Sequence, residues 1–481
     1  MRFIRCLMFS FLAVLAIGTR AHAELKLGSL FGDNMVLQQQ MAVPVWGWDT
    51  PGAKITVRFA NQTRMTSADR TGCWLLKLEK LKATATPQTL TITSAETRSF
   101  TNILIGEVWL ASGQSNMEKP IGYQPGQGPC RNAEVELASA RFPQIRLFRM
   151  ITASSKTPLN QAGKFQGWRE CNRESLNELS FSAAEYFFGR EIHTNLNVPV
   201  GLVLSSIGGT RIEPWTAPEG VAKVPSLLHH EPSQAAPIYY NAMIAPLSRF
   251  AMRGALWYQG ESNCDVSKDD YLTYAEKMTT LVAGWREIWQ QGDFPFYFVQ
   301  LAPFNYYNGK NRQRVGPERL AEFWELQSRA ARQIKHTGMV VTTDLVDDLD
   351  DVHPANKQGV GHRLALLARH HTYGQKNLVC SGPTFRKVEK AGSTARIQFD
   401  HADGGLLSRN GQALNWFEVA GADGKFVAAQ ARILGNTVEV SAAGVEHPET
   451  VRFAWNQAAQ PNLINGAGLP TEAFRANTSR K

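Results

Sequence analysis

The chain has 481 residues, 43% of them hydrophobic and 19% charged. That length exceeds one compact domain, and that composition excludes bulk disorder. Lysine and arginine outnumber aspartate and glutamate by 51 to 42, a formal charge of +9. The excess is scattered and no basic run carries interleaved aromatics, which argues against nucleic-acid binding.

Arg2 and Arg5 precede an apolar run, Cys6 to Gly18, and Ala21-His22-Ala23 follows as a small-x-small site. This order predicts a secretory signal peptide over residues 1–23, cut after Ala23. The run is short for a membrane span, and Thr19-Arg20 closes it. No later segment is long and apolar enough to span. The expected mature chain is therefore soluble and exported, either periplasmic or secreted. Losing the leader's three arginines leaves 48 basic against 42 acidic residues, or +6. The mature cysteines are Cys73, Cys130, Cys171, Cys264 and Cys380. None forms a CxxC pair or a metal-ligand spacing. Cys130 with Cys171 is the candidate disulfide, and an odd count leaves at least one thiol over.

Residues 24–104 are expected to form an N-terminal β-sandwich domain. Its strand-like segments are Met35 to Leu37, Val43 to Trp48, Lys54 to Phe59 and Thr89 to Ile92, split by turns such as Pro51-Gly52. From Ile105 to about Gly374, strands and helices alternate. Expected strands are Glu107 to Ala111, Val198 to Ser205, Arg253 to Tyr258, Phe294 to Leu301 and Met339 to Thr343. Expected helices are Phe181 to Thr194, Tyr271 to Gln290, Glu318 to Gln333 and Asn356 to Arg369. This βαβ rhythm predicts an α/β domain over 105–374, with a mostly parallel sheet covered on both faces. Ligands in such sheets sit beyond the carboxyl ends of the strands. Residues 375–481 return to strand-like runs and predict a C-terminal β-rich domain.

Four chemical segments fall at those carboxyl ends. Gly113-Gln114-Ser115-Asn116-Met117 follows the first strand of the α/β region. The glycine permits a sharp turn, and a helix starting after Ser115 would aim free N–H groups at a developing anion. A helix-capping serine has the same local sequence. Asp350-Asp351-Val352-His353-Pro354 follows the last strand. A carboxylate three residues before His353 can fold back onto Nδ1 and fix the tautomer that lets the imidazole take a proton. The neighbouring Asp344, Asp347 and Asp348 also allow an acidic surface loop or a calcium site. Gly208-Gly209 offers an open backbone N–H, and Gln259 a side-chain amide.

In this order the segments resemble the SGNH hydrolases, and in particular their bacterial sialate O-acetylesterase-like branch of carbohydrate esterases. The matching blocks are Gly113 to Met117, Ile207-Gly208-Gly209-Thr210 (with isoleucine where the family has tryptophan), Trp257 to Asn263, and Asp350 to Pro354. Leu30 to Gln38, Arg452 to Trp455 and Gly468-Leu469-Pro470 extend the likeness over nearly the whole mature chain.

The resemblance implies a three-layer α/β/α fold flanked by the two β-rich domains. It implies Ser115 as nucleophile, His353 as base and Asp350 as its orienter, with Asp351 and Asp348 as neighbouring alternatives. The N–H groups of Ser115 and Gly209 and the Gln259 side chain form the implied oxyanion hole. No metal or organic cofactor is implied. Arg211, Glu261 and Trp257 are the further substrate-site candidates, with Arg211 placed to meet a sialic acid carboxylate. The implied substrate is an acetylated sugar or glycan. The rival readings are an acetylesterase for xylan or xyloglucan, and a non-catalytic glycan-binding protein.

Overall fold

The computed structural model describes residues 24–221, 236–306 and 316–478. The expected leader, 1–23, lies outside them. Among the described residues no helix is long and apolar enough to cross a membrane.

One strand organises the first two-thirds of the molecule. Thr97–Gly113 runs for 17 residues, and the expected 104/105 boundary falls inside it. Its first six residues are exposed or half-buried, and its last eleven are all buried. The first part pairs antiparallel with Thr84–Thr93, as in a sheet with one wet face. The second part enters a sheet covered on both sides, where a continuous apolar run is the norm.

That second sheet has the order Phe165–Asn172, Arg141–Met150, Val200–Ser206, Thr97–Gly113, Gly254–Tyr258, Phe296–Val299, Thr337–Val340. Every neighbouring pair is parallel except the first. Alternate residues of the central strand serve opposite faces. Val108 and Leu110 join a core that holds Met278, Trp285, Leu320 and Phe323, from the helices Tyr274–Trp289 and Arg319–Gln333. Trp109 and Ala111 join another that holds Phe187, Phe188, Leu364 and Ala365, from Ala183–Leu196 and Lys357–Leu367. The result is a mixed sheet between helices, with further β-rich sheets on either side of it in sequence.

Two expectations are corrected. The helix expected over Tyr271 to Gln290 is two helices, Lys268–Tyr271 and Tyr274–Trp289, parted where the Thr273 N–H bonds at 3.2 Å to the Asp270 carbonyl, three residues back rather than four. The candidate disulfide is absent: Cys130 and Cys171 are buried free thiols, and Cys130 Sγ donates instead to the Pro120 carbonyl at 3.3 Å. Two strands, Arg141–Met150 and Phe165–Asn172, were not foreseen.

Glu107, on the central strand, binds the parts together. Its carboxylate accepts from Gln38 at 3.1 Å and Gln39 at 2.8 Å, from Arg253 at 2.6 and 3.0 Å, and from Tyr373 at 3.0 Å. These partners come from the N-terminal strands, the entry to Gly254–Tyr258, and the end of the last helix of the sheet region. The C-terminal β-rich part is joined through Arg452 to Glu318 at 2.8 Å and through Glu472 to Ser328 at 2.8 Å and Arg332 at 3.0 Å. Breaking a buried ion pair from one side leaves an uncompensated charge, which costs about 3–5 kcal/mol. Glu107→Ala is expected to lower the free energy of unfolding in denaturant by that amount. A change below about 1 kcal/mol would show that Glu107 is not the tie described.

Candidate active site

The carboxyl ends of three adjacent strands meet where the chain order reverses, the place such sheets offer to ligands. The central strand delivers Gly113 to Ser115, one neighbour delivers Ser206 to Gly209, and the other delivers Tyr258 to Glu261.

Gly113 has φ +135°, and a Cβ there would stand 2.1 Å from the Tyr258 carbonyl oxygen. Only glycine fits this crossing. Gln114 then fastens the turn to its neighbour. Its N–H donates to Tyr258 O at 3.0 Å, and its side-chain oxygen accepts from Gln259 at 3.1 Å and from the Gly260 and Ser262 N–H groups at 3.3 Å. Ser115 therefore opens the short helix Ser115–Glu118 from a fixed turn. Glu118 at its end accepts from Gly208 N–H at 2.8 Å and from Arg149 at 3.0 Å. This holds the glycine pair beside the serine: a Cβ on Gly208 would lie 3.4 Å from that of Ser115. Gly209 follows with φ +71°, exposed.

The histidine loop reaches the same place through Asn116. That side chain donates to the Val352 carbonyl at 2.9 Å and to Glu261 at 2.5 Å, and accepts from Lys357 at 2.5 Å. The residue after Ser115 thus grips the residue before His353. Sequence reasoning passed over Asn116, Glu118 and Lys357. The only local signals were an amide beside the serine and a lysine one helical turn past the histidine.

The two aspartates lie differently from expectation, Asp351 nearer the His353 ring than Asp350. Asp351 Oδ1 lies 3.7 Å from His353 Nδ1 and accepts from the His353 N–H at 2.8 Å. Asp350 instead accepts from Asn305 at 2.8 Å. Burial lowers the His353 pKa to about 4. The positive charges of Lys357 and Lys119 push the same way, and Asp351 opposes them. The imidazole is neutral at ordinary pH, as a proton acceptor must be. Lys357 is itself lowered to about 7, by burial first.

Three other expected residues are not laid open to a ligand. Gln259 is fully buried, with its amide directed at Gln114, Thr210 and Asn263 at 3.1, 3.1 and 2.8 Å. Trp257 is 1% exposed, with rings of Trp215 and Trp285 edge-on to it, so it has no face for a sugar. Glu261 faces Asn116, and burial raises its pKa. Arg211 is 30% exposed at its side chain and pairs with Asp270 at 3.4 Å. The acidic loop does not gather its carboxylates: Asp344 holds Arg363, Asp347 holds Arg131, and Asp348 accepts from the Asp350 N–H.

The family described as carbohydrate esterase, sialic acid-specific acetylesterase, matches residues 105–369. The chain belongs to this family. It is 32% identical over 403 residues to the human sialate O-acetylesterase, covering 76% of this chain and 74% of that one. It is 29% identical over 455 residues to the mouse sialate O-acetylesterase, covering 81% of each. Among solved structures it resembles a carbohydrate acetylesterase of Xanthomonas citri, with TM-score 0.85 and 33% identity over 95% of this chain and all of that one.

With a pKa of about 4, His353 acting as a base would set a pH profile. Only the neutral imidazole accepts a proton, so kcat/KM for an acetyl ester should rise through about pH 4 and then level. Lys357→Met removes a positive charge that holds the pKa down, so the acid limb should move to higher pH. A limb that stays in place would contradict the electrostatic role given to Lys357.

Proposed function

We propose that this chain is an exported serine carbohydrate esterase that hydrolyses O-acetyl groups from sugars, acting as a sialate O-acetylesterase. The observation that carries the reading is the meeting of the Ser115 turn and the His353 loop on one side chain, Asn116. A binding module has no need of a half-buried, neutral histidine whose loop is tied to a serine on a glycine turn. We read the covered sheet as the SGNH three-layer fold, and residues 1–23 as the leader that exports it.

In this reading Ser115 Oγ attacks the acetyl carbonyl carbon while His353 takes its proton. The Ser115 and Gly209 N–H groups receive the oxyanion. The Gln259 amide stands behind them and fixes the turn on which they depend. The tetrahedral intermediate collapses as His353 protonates the departing sugar hydroxyl. Water then attacks the acetyl-enzyme, its proton passes to His353, and acetate leaves as Ser115 is reprotonated. The orienting carboxylate comes from the Asp350–Asp351 pair, with Asp351 nearer in the arrangement described. Loss of one oxyanion donor in such sites costs about 10²–10³ in kcat.

A second reading concerns the substrate alone. Arg211 is engaged with Asp270, which favours a neutral acetylated glycan such as xylan or xyloglucan over an acidic sugar.

The test is acetate release by the purified mature protein from 9-O-acetylated sialic acid, acetylated xylan and acetylated xyloglucan. Release from the sialic acid, reduced about 10⁴-fold or more in Ser115→Ala, is expected. Release from the plant glycans alone would overturn the sialate reading and keep the mechanism. Release from none would overturn the esterase reading.

A further inference from the structure

Far along the chain from the serine turn, the helix Lys357–Leu367 does not simply stop. It continues as one wider turn, Ala368–Thr372, of the π type that recurs at functional positions. The turn carries His370 and His371, whose ring centroids lie 4.6 Å apart. The chain then folds back and brings Cys380 onto them. One potential ligand atom from each of the three residues lies within 4.8 Å of the other two. The cluster borders a cavity of about 630 Å³ between the sheet region and the C-terminal β-rich part, which His401 and Asp403 also line.

Two geometric facts suit a cation. Cys380 Sγ is 3.6 Å from His371 Nε2. A tetrahedral zinc ion with Zn–S of about 2.3 Å and Zn–N of about 2.0–2.1 Å sets its sulfur and nitrogen ligands about 3.6 Å apart. The second fact is an orienting bond. His370 Nδ1 is 2.7 Å from the Leu378 carbonyl, so that nitrogen carries the proton and Nε2 keeps the lone pair. Metal-ligating histidines are oriented in this way, with the far nitrogen donating to a carbonyl. The Leu378 bond fixes the tautomer that a ligating His370 needs.

We propose that His370, His371 and Cys380 bind a divalent cation of the zinc class, with the fourth position facing the cavity. Thiolate and imidazole together select a borderline-soft ion over magnesium or calcium. On binding, the Cys380 S–H bond breaks, the metal–sulfur bond forms and the proton leaves to solvent. Because Cys380 lies beyond the last helix of the sheet region and near the start of the β-rich part, the ion would join the two. The site is separate from the serine chemistry, which needs no metal in the mechanism above.

The experiment uses the full mature chain without a histidine tag, reduced, stripped with chelator and titrated with Co²⁺. One equivalent should produce tetrahedral visible bands and a thiolate-to-cobalt absorption, both removed by Zn²⁺. Cys380→Ser and His371→Ala should weaken binding by more than the roughly 10–100-fold that loss of an orienting partner costs. Thermal unfolding without metal checks that each variant is folded. If Cys380→Ser is not, His370→Ala replaces it in the same titration. No saturable bands, or bands unchanged in the variants, would overturn the proposal.

Discussion

Two segments more than two hundred residues apart, the Ser115 turn and the His353 loop, are joined by the buried side chain of Asn116. Its amide gives one hydrogen to the backbone of the histidine loop and one to Glu261, and its oxygen takes a hydrogen from Lys357. Both of its N–H groups are engaged by the protein, and its oxygen takes one further bond. In a low-dielectric interior such a network is strong when complete and costly when broken. Burial lowers the Lys357 pKa to about 7, and the Glu261 carboxylate is among the groups that oppose this. The cluster that positions the two segments therefore also keeps His353 neutral.

The clasp works because the backbone beneath it is fixed. Gly113 crosses the Tyr258 carbonyl at a distance that admits no side chain, and Gln114 binds the adjoining turn at three further points. The central strand that ends there begins in the N-terminal sheet, and Glu107 anchors its middle with partners from three parts of the chain. Support for the site thus extends well outside the residues that touch a substrate. The N-terminal sheet is continuous with the second one, and the strand shared by the two leads into the Ser115 turn.

The sequence made the strand ends legible and left the side-chain partners hidden. Val198 to Ser205 and Arg253 to Tyr258 were readable because apolar runs ending in glycine or polar residues are local signals, and the structure has Val200–Ser206 and Gly254–Tyr258 there. The turn at Gly113 and the loop at His353 follow from the same signals. What a carboxylate or an amide faces is decided by residues far away in sequence. Asp350 turns to Asn305, and the Gln259 amide to Gln114 and Asn263, and no local spacing contains that choice. Trp257 lies on a strand buried on both faces, so it packs among other tryptophans whatever its affinity for sugars. The break before Tyr274 was missed because apolar periodicity runs across it, while the feature that divides the helix is one tightened backbone turn.

The central claim is that Ser115 is a nucleophile made reactive by His353. The most direct measurement is the rate and position of labelling by a fluorophosphonate probe, located by peptide mass spectrometry. The account predicts one label per chain, on Ser115, at a rate that collapses in His353→Ala while the variant stays folded. Labelling of another residue, no labelling at all, or a Ser115 rate indifferent to His353 would contradict it.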